Sequence, residues 1–195
     1  MNRSIGLFGV LVLIFMSFLT TDSLSQAIIS KKGSFSFGNY EYKPSLGKVV
    51  KREKHSLGSS EIVFEDCLLN YSMWEVKTEL EQTYFLELEC RFRLENGGFR
   101  TFISEDDLTE LIDAIYIMER SVKEDVKTTA NYLDASFELK DNAGLGYTVS
   151  EGQLEWSFTF DTSNSSAVVR IPAIRPAKRL LESVSDTIDR RKRGS

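Results

Sequence analysis

The residue types that most often carry catalysis or bind transition metals are scarce in this chain, which has one histidine and two cysteines. A four-ligand zinc site built from cysteine and histidine is therefore impossible within one chain. The histidine, His55, lies among basic residues in a stretch flanked by Gly and Ser. A Ser–His–Asp or Cys–His arrangement would need it, but a lone histidine in such a stretch is more typical of a surface residue. We predict no catalytic residue, no metal site and no cofactor.

Neighbouring carboxylates do not identify an acid–base pair either. Glu65 and Asp66 are adjacent within a predicted strand, so their side chains are expected on opposite faces. Glu105, Asp106 and Asp107 are explained by the start of a helix. Glycosidase chemistry needs two converging carboxyl groups, and no pair can be nominated. The sequence leans against an enzyme, with a hydrolase whose site the pattern does not reveal as an alternative.

A cluster of basic residues precedes the first clear strands. One hypothesis is that it docks an anionic partner, such as a lipid headgroup, a polysaccharide or a nucleic acid. The favoured interpretation is a solvated loop or an edge strand guarded by lysine. A formal net charge of −5 argues against a dedicated nucleic-acid-binding protein, which usually has a basic face. The candidate anion-binding residues are Lys48, Lys51, Arg52, Lys54 and His55.

A second basic run, Arg190–Arg193, closes the chain. Cations are stabilising near the C-terminus of a helix, so the favoured interpretation is a charged helix end. A tail that binds an anion and a protease-sensitive dibasic run are the alternatives. We assign residues 190–195 to a basic tail.

The first 25 residues have the pattern of an export signal. A weakly basic start is followed by a continuous apolar run, Ile5–Leu19, and then by small residues around Ser25 and Ala27, after either of which cleavage is expected. The run is short for a membrane span, which needs about 20 residues. The alternative is an uncleaved N-terminal anchor. We predict an exported protein, periplasmic or secreted, with residues 26–33 as a linker.

Export bears on the two cysteines, Cys67 and Cys90. An oxidising compartment permits a disulfide bond between them, and both fall in predicted neighbouring strands. The alternative is a pair of buried thiols that pack as small apolar groups. The sequence leaves both possibilities open.

The longest amphipathic pattern, Ser104–Val126, predicts a helix. Ser104 suits the N-cap, Asp107 stands at the capping-box position, and the acids of the first turn complement the helix dipole. Apolar residues recur at steps of three and four and form one stripe. The stripe consists of Leu108, Leu111, Ile112, Ile115, Met118, Val122 and Val126.

Strands are predicted on both sides of this helix. The clearest, Tyr84–Glu95, alternates an apolar face with a mostly charged face that includes Glu87 and Glu89. Before it, 61–71 and 73–81 are predicted as two strands with Asn70 and Ser72 in the turn. After the helix, strands are expected from Phe137 onward, at 146–149, 154–160 and 167–171. A second helix follows, with Pro176 in its first turn.

The short connections between these strands indicate antiparallel pairing. Hydrophobic residues make up 42% of the chain, which is enough for a core. We predict a single α+β domain over residues 34–189. Its antiparallel sheet material packs on one central amphipathic helix, with a second, C-terminal helix, in the order strands, helix, strands, helix.

The segments Tyr84–Val126, Asn131–Leu133 and Gly144–Trp156 resemble an uncharacterised family of small exported bacterial proteins. In that family a strand hairpin enters an acidic-capped helix, followed by a Tyr-Leu element, a glycine-tyrosine strand and a tryptophan strand. The resemblance implies an exported α+β protein and brings no catalytic residues, because no activity is assigned to the family.

The order of elements also resembles the PUR-repeat and whirly folds. Those folds bind single-stranded nucleic acid through basic and aromatic groups on a sheet face. Here the outward face of the clearest strand carries Glu87 and Glu89 beside Arg91 and Arg93. Likeness of architecture does not by itself imply a shared function.

The function predicted from these patterns is an exported, non-catalytic binding or interaction module. The expected partner is a protein or a component of the cell envelope, with membrane contact only through an uncleaved N-terminal signal. The first alternative is a module that binds anions or single-stranded nucleic acid through the cations of 48–54 and Arg190–Arg193. Nucleic acid is the less favoured partner because of the net negative charge.

Overall fold

A computed structural model describes residues 35–37, 40–42, 50–65, 67–93, 97–128, 130–140, 143–162 and 165–194. The predicted signal peptide at 1–25, the linker at 26–33 and Lys48 lie outside these ranges. The described elements are β1 (Phe35–Phe37), β2 (Tyr40–Tyr42), β3 (Lys51–Ser60), β4 (Cys67–Lys77), β5 (Gln82–Phe92), β6 (Gly98–Ser104), α1 (Glu105–Asp125), β7 (Tyr132–Glu138), β8 (Gly144–Ser150), β9 (Gln153–Thr162), β10 (Ser165–Ile171) and α2 (Ile174–Gly194).

The chain builds the same arrangement twice: a four-stranded antiparallel sheet followed by a helix of 21 residues. The first sheet has the order β3-β4-β5-β6, and the second has the order β7-β8-β9-β10. Each strand pairs with the next one along the chain, as the short connections predicted. β1 and β2 form a separate two-stranded ladder. The predicted α+β class and the order strands, helix, strands, helix are confirmed.

Helix α1 begins where its capping residues predicted. The Ser104 hydroxyl oxygen accepts a hydrogen bond from the Asp107 backbone N–H at 3.2 Å, and the hydroxyl group donates to the Asp107 carboxylate at 2.8 Å. This exchange satisfies one of the free N–H groups of the first turn. The inner part of the predicted stripe is buried, namely Leu108, Leu111, Ile115 and Met118.

Helix α2 runs antiparallel to α1 and packs against it. Lys192 near the end of α2 pairs with Glu105 at the start of α1, whereas Lys178 near the start of α2 pairs with Glu119. The helix extends to Gly194 and so includes Arg190–Arg193, which the sequence had assigned to a tail. Within the described ranges, no helix combines the length and the apolar character needed to cross a membrane.

One core joins the two sheets and the two helices. The inner face of β5 contributes Tyr84 and Leu86, which are fully buried, and the inner face of β9 contributes aromatic rings. Phe64, from the connection between β3 and β4, reaches the second sheet and places its ring 5.8 Å from Phe158 and 5.5 Å from Phe160. This shared core packs the two four-stranded sheets and the two helices together, because neither sheet buries its apolar face separately.

Three details of the strand prediction are wrong. β4 is continuous, without the turn expected at Asn70 and Ser72; the two polar side chains sit at ladder positions on the outer face of the sheet, where a strand tolerates them. β7 begins at Tyr132 rather than near Phe137. The sequence pattern missed its first residues because its outward-facing side chains are mostly polar, which weakens the hydrophobic signal. Glu65 lies in the β3–β4 connection instead of in a strand.

The two cysteines form a disulfide bond across β4 and β5. Their Cα atoms are 5.8 Å apart, a typical separation for such a bond, and both residues are fully buried. The register pairs Cys90 with Leu69, so Cys67 lies at the diagonal position two residues along. Of the two possibilities that the sequence left open, the structure has the bridge.

Removing this bond should destabilise the protein measurably. It closes a 23-residue separation, for which the chain-entropy estimate is about 3 kcal/mol. We expect the double variant Cys67→Ala/Cys90→Ala to lose about that much free energy of unfolding in urea. Reductant should lower the stability of the wild type and leave the double variant unchanged. Alkylation of both thiols in unfolded, unreduced protein would contradict the bond.

Burial raises the pKa of Tyr147 to about 12, and a hydrogen bond from its hydroxyl group to the Asp125 carboxylate adds to the effect. Its side chain is 2% exposed and its ring lies 5.0 Å from that of Trp156. Because the pKa is raised in the folded state, this stabilisation is complete below about pH 10 and is lost as the pH rises towards 12.

We therefore expect the stability of the wild type to fall by about 2 to 3 kcal/mol over that range through this group alone. Tyr147→Phe should be less stable at neutral pH and should show a correspondingly flatter alkaline profile in urea unfolding. Tyr132→Phe, which alters an exposed ring, should follow the wild-type profile. Parallel profiles for wild type and Tyr147→Phe would refute the assignment.

Candidate functional site

Four of the predicted anion-binding residues, Lys51, Arg52, Lys54 and His55, lie along β3, an edge strand of the first sheet. The fifth, Lys48, lies outside the described residues. This location agrees with the interpretation of the basic cluster as a lysine-guarded edge. Strand alternation divides the cluster, because residues one apart point to opposite faces. Lys51 and His55 share the face that carries the core, whereas Arg52 and Lys54 share the outer face. The structure therefore does not gather the described members into one basic patch.

On the outer face, the buried carboxylate of Glu87 organises the cations. Its side chain is 2% exposed, although the strand pattern had placed it on an exposed charged face. Lys54 Nζ lies 2.6 Å from one carboxylate oxygen, and Arg100 Nε lies 2.9 Å from the other. The Trp74 indole N–H donates to the oxygen that faces Lys54, at 2.7 Å. Lys54 is thus committed to an internal ion pair.

Glu89 balances the next cations on the same face. Its carboxylate lies 3.1 Å from Arg100 Nη2 and 3.2 Å from Arg91 Nη2. Burial acts to raise the pKa of Glu89, but the hydrogen bond and charge of Arg100, together with Arg91, outweigh it and lower the pKa. The carboxylate is therefore ionised at neutral pH. The outer face of the first sheet combines aromatic, basic and acidic groups, and Lys54, Arg91 and Arg100 already have anionic partners there.

On the opposite face, β3 and β4 bring Glu53, His55 and Glu75 together. The Nε2 atom of His55 lies 3.6 Å from a carboxylate oxygen of Glu53 and 3.6 Å from one of Glu75. Glu75 is 3% exposed and stands directly across the ladder from Glu53. Burial acts to raise the pKa of Glu75, but the hydrogen bond and charge of Lys77, with the charge of Arg191, lower it overall.

Arg191, from the last turns of α2, completes this cluster. Its Nη1 atom lies 3.4 Å from His55 Nε2 and 3.5 Å from a carboxylate oxygen of Glu75. The tertiary structure thus joins the two basic runs of the sequence, which are 136 positions apart at this contact. Alternation alone could place Glu53 beside His55. The positions of Glu75 and Arg191 in the cluster depend on the strand register and on the direction of α2, which the sequence pattern does not give.

A groove lies between α1, β9 and the start of α2, and no pattern in the sequence indicated it. This open groove has a volume of about 790 Å3, within the size range of ordinary ligand sites. Tyr116 and Leu154 are partly exposed there, and Trp156 forms part of the wall. The lining residues are Tyr116, Glu119, Arg120, Val122, Lys123, Leu154, Trp156, Ile174, Arg175 and Lys178.

Cations outnumber carboxylates in this groove by four to one. Lys178 pairs with Glu119 and lies 4.1 Å above the centre of the Tyr116 ring. The three others, Arg120, Lys123 and Arg175, have no carboxylate within ion-pair distance among the residues that the structure describes. Arg120 and Lys123 are flanked by Glu119 and Glu124, and Arg175 lies in the other helix, so the three did not stand out as a cluster.

A second cavity, of about 540 Å3, lies where the second sheet meets the β3–β4 connection. Its cation, Arg170, is held by Glu155 at 2.7 Å and by Glu65 at 3.3 Å. Because its charges are mutually satisfied, this cavity offers less to a charged ligand than the groove does. The acids at the start of α1 are also engaged, since Glu105 pairs with Lys192 and Asp107 is part of the helix cap.

The role of Glu87 can be tested through stability. Glu87→Ala would remove an ion-pair partner of Lys54 and Arg100 and the acceptor of the Trp74 N–H. We therefore expect a loss of about 1 to 3 kcal/mol in the free energy of unfolding. The emission of Trp74 should also change. Glu138→Ala, on the exposed edge strand β7, should cost less than about 0.5 kcal/mol. Equal losses in the two variants would show that Glu87 is not a structural hub.

Comparison with known proteins identifies no relative of this chain. No protein-family model matches the chain, and searches of curated proteins and of solved structures return no significant match. The two resemblances drawn from the sequence therefore stay predictions.

Proposed function

We propose that this protein is a non-catalytic binding module whose groove between α1, β9 and α2 binds an acidic, partly apolar segment of a protein partner. The observation that carries the proposal is the combination of uncompensated cations with an apolar wall. Arg120, Lys123 and Arg175 surround the groove without carboxylate partners in the described chain, while Leu154 and Tyr116 expose apolar surface. A ligand with carboxylates and apolar side chains satisfies both features.

The charge balance of the whole protein supports a local rather than a general anion site. The chain carries a formal net charge of −5, so it repels polyanions at long range. A nucleic acid needs a basic face that follows its backbone, and the outer sheet face instead balances Lys54 and Arg100 with Glu87 and Glu89. A short acidic peptide needs only the few cations that the groove offers.

Export of the protein is part of this proposal. The apolar run and the small residues of the first 25 positions are typical of a signal peptide. A buried disulfide bond between Cys67 and Cys90 is compatible with an oxidising compartment. The partner would then be a secreted protein or a protein of the cell envelope.

Intrinsic fluorescence can test the groove directly, because Trp156 lines it. The variant Trp74→Phe leaves Trp156 as the single tryptophan. We expect a synthetic peptide of alternating Glu and Phe to change the Trp156 emission saturably, with an affinity that falls as salt is added. The matching Gln and Phe peptide should bind at least tenfold more weakly.

Charge reversal in the groove should abolish most of this binding. We expect Arg120→Glu/Lys123→Glu/Arg175→Glu to weaken the acidic peptide about ten- to a hundredfold, because three attractions become repulsions. The control triple Arg91→Glu/Arg93→Glu/Lys127→Glu makes the same change in net charge at exposed positions elsewhere. Equal weakening in both triples, or absence of binding to the wild-type groove, would reject the proposed site.

A further inference from the structure

We propose that Glu53, His55 and Glu75 form a binding site for a divalent transition metal ion of the zinc type, and that the Arg191 guanidinium is its internal competitor. The site lies on the core-facing side of the β3 edge, and its residues are separate from those of the groove.

The strand geometry presents the three ligand atoms to one point. Glu53 and His55 are two residues apart on β3, so their side chains share a face. Glu75 stands opposite Glu53 in the ladder, where facing side chains are close neighbours. The ligand atoms all lie within 4.8 Å of one another.

Two of the three separations between the ligand atoms match those around a tetrahedral ion. His55 Nε2 lies 3.6 Å from each of the two carboxylates. Bonds of about 2.0–2.2 Å in tetrahedral geometry place neighbouring ligand atoms roughly 3.3–3.6 Å apart. One imidazole nitrogen and two carboxylate oxygens suit zinc, whereas calcium and magnesium prefer oxygen ligands alone. Three protein ligands would leave the fourth position to water.

Contacts within the chain already orient Glu75, the buried residue of the site. One carboxylate oxygen of Glu75 accepts a hydrogen bond from Gln82 at 2.8 Å and pairs with Lys77. The other oxygen is the one that faces His55 and Arg191. Such outer contacts fix the direction of a metal ligand and commonly affect metal affinity. Glu75 therefore offers one oxygen to an ion while the rest of the chain holds the other.

The two carboxylates of the cluster favour a positive charge close to them. Two carboxylates that face each other across a ladder repel, and burial of Glu75 increases the cost. Arg191 supplies a positive charge 3.5 Å from Glu75 and 3.4 Å from His55 Nε2. A guanidinium group has donors and no acceptor, so its approach to His55 is favourable where Nε2 carries a lone pair. That is also the form of histidine that binds a metal ion.

Arg191 and a metal ion therefore compete for the same ligand atoms. The Arg191 side chain is 41% exposed and lies near the end of α2, so it can turn towards solvent while the helix stays in place. Removal of its charge should then make the site more available to an ion. A purely structural role of the cluster would give the opposite sign, because loss of Arg191 would loosen the arrangement of the three ligands.

The test is a calorimetric titration of the chelator-treated protein with Zn²⁺, repeated with Co²⁺ so that visible absorption reports the coordination geometry. We expect one ion per chain in the wild type. Arg191→Ala should bind about tenfold more tightly, and His55→Ala should bind at least a hundredfold more weakly. Arg190→Ala removes the same charge one position away, at an exposed side chain outside the cluster, and should change the affinity less than twofold.

Thermal unfolding without metal identifies any variant that fails to fold. Because Arg191→Ala is expected to gain affinity, a folding defect in His55→Ala alone does not decide the question. Absence of binding in both wild type and Arg191→Ala would overturn the proposal. So would unchanged binding in His55→Ala, which would indicate adventitious contact, and so would weaker binding in Arg191→Ala.

Discussion

The structure depends on the burial of two sheet faces and two helix stripes in one core. A four-stranded antiparallel meander has one apolar face, and water must be removed from that face by another element. Here each sheet is followed by a helix, and the helices also pack on each other in antiparallel fashion. Phe64 extends the shared core across both sheets by contacting Phe158 and Phe160. As a result, 28 of the residues that the structure describes are buried in one cluster.

This core dictates where polar groups end up. Along each strand of the first sheet, every second side chain points away from the core. On this outer face, Glu87 is buried beneath Lys54 and Arg100. Glu75 lies on the core face but at its end, where α2 finishes and Arg191 reaches it. Cations of two other strands compensate Glu87, whereas Lys77 of the same strand and Arg191 of α2 compensate Glu75. Burial of a charge costs free energy unless a partner accompanies it, so these pairs form together with the core.

The groove and the Glu53–His55–Glu75 cluster differ in one physical respect. In the groove, Arg120, Lys123 and Arg175 lack carboxylate partners among the described residues, so an external anion would add new interactions. In the cluster, the ligand atoms already hold Arg191, so an external cation must replace an internal one. An anion bound in the groove would therefore add new ion pairs to the fold. A metal ion bound in the cluster would instead replace Arg191 as the cation beside His55 and Glu75.

The sequence by itself determined the elements whose signals are local. Each of these signals depends only on residues of the same helix or strand. They are the Ser104 cap, the stripe of α1 and the alternation of β5. The predicted strand limits were wrong at β7 and at the continuous β4, because polar side chains on the outer face of these strands weaken the hydrophobic pattern. Tertiary structure alone decided that Glu87 is buried, that Arg191 meets His55, and that Arg120, Lys123 and Arg175 surround one groove. The reason is that these contacts depend on strand register and helix direction, and neither is encoded by the spacing of neighbouring residues.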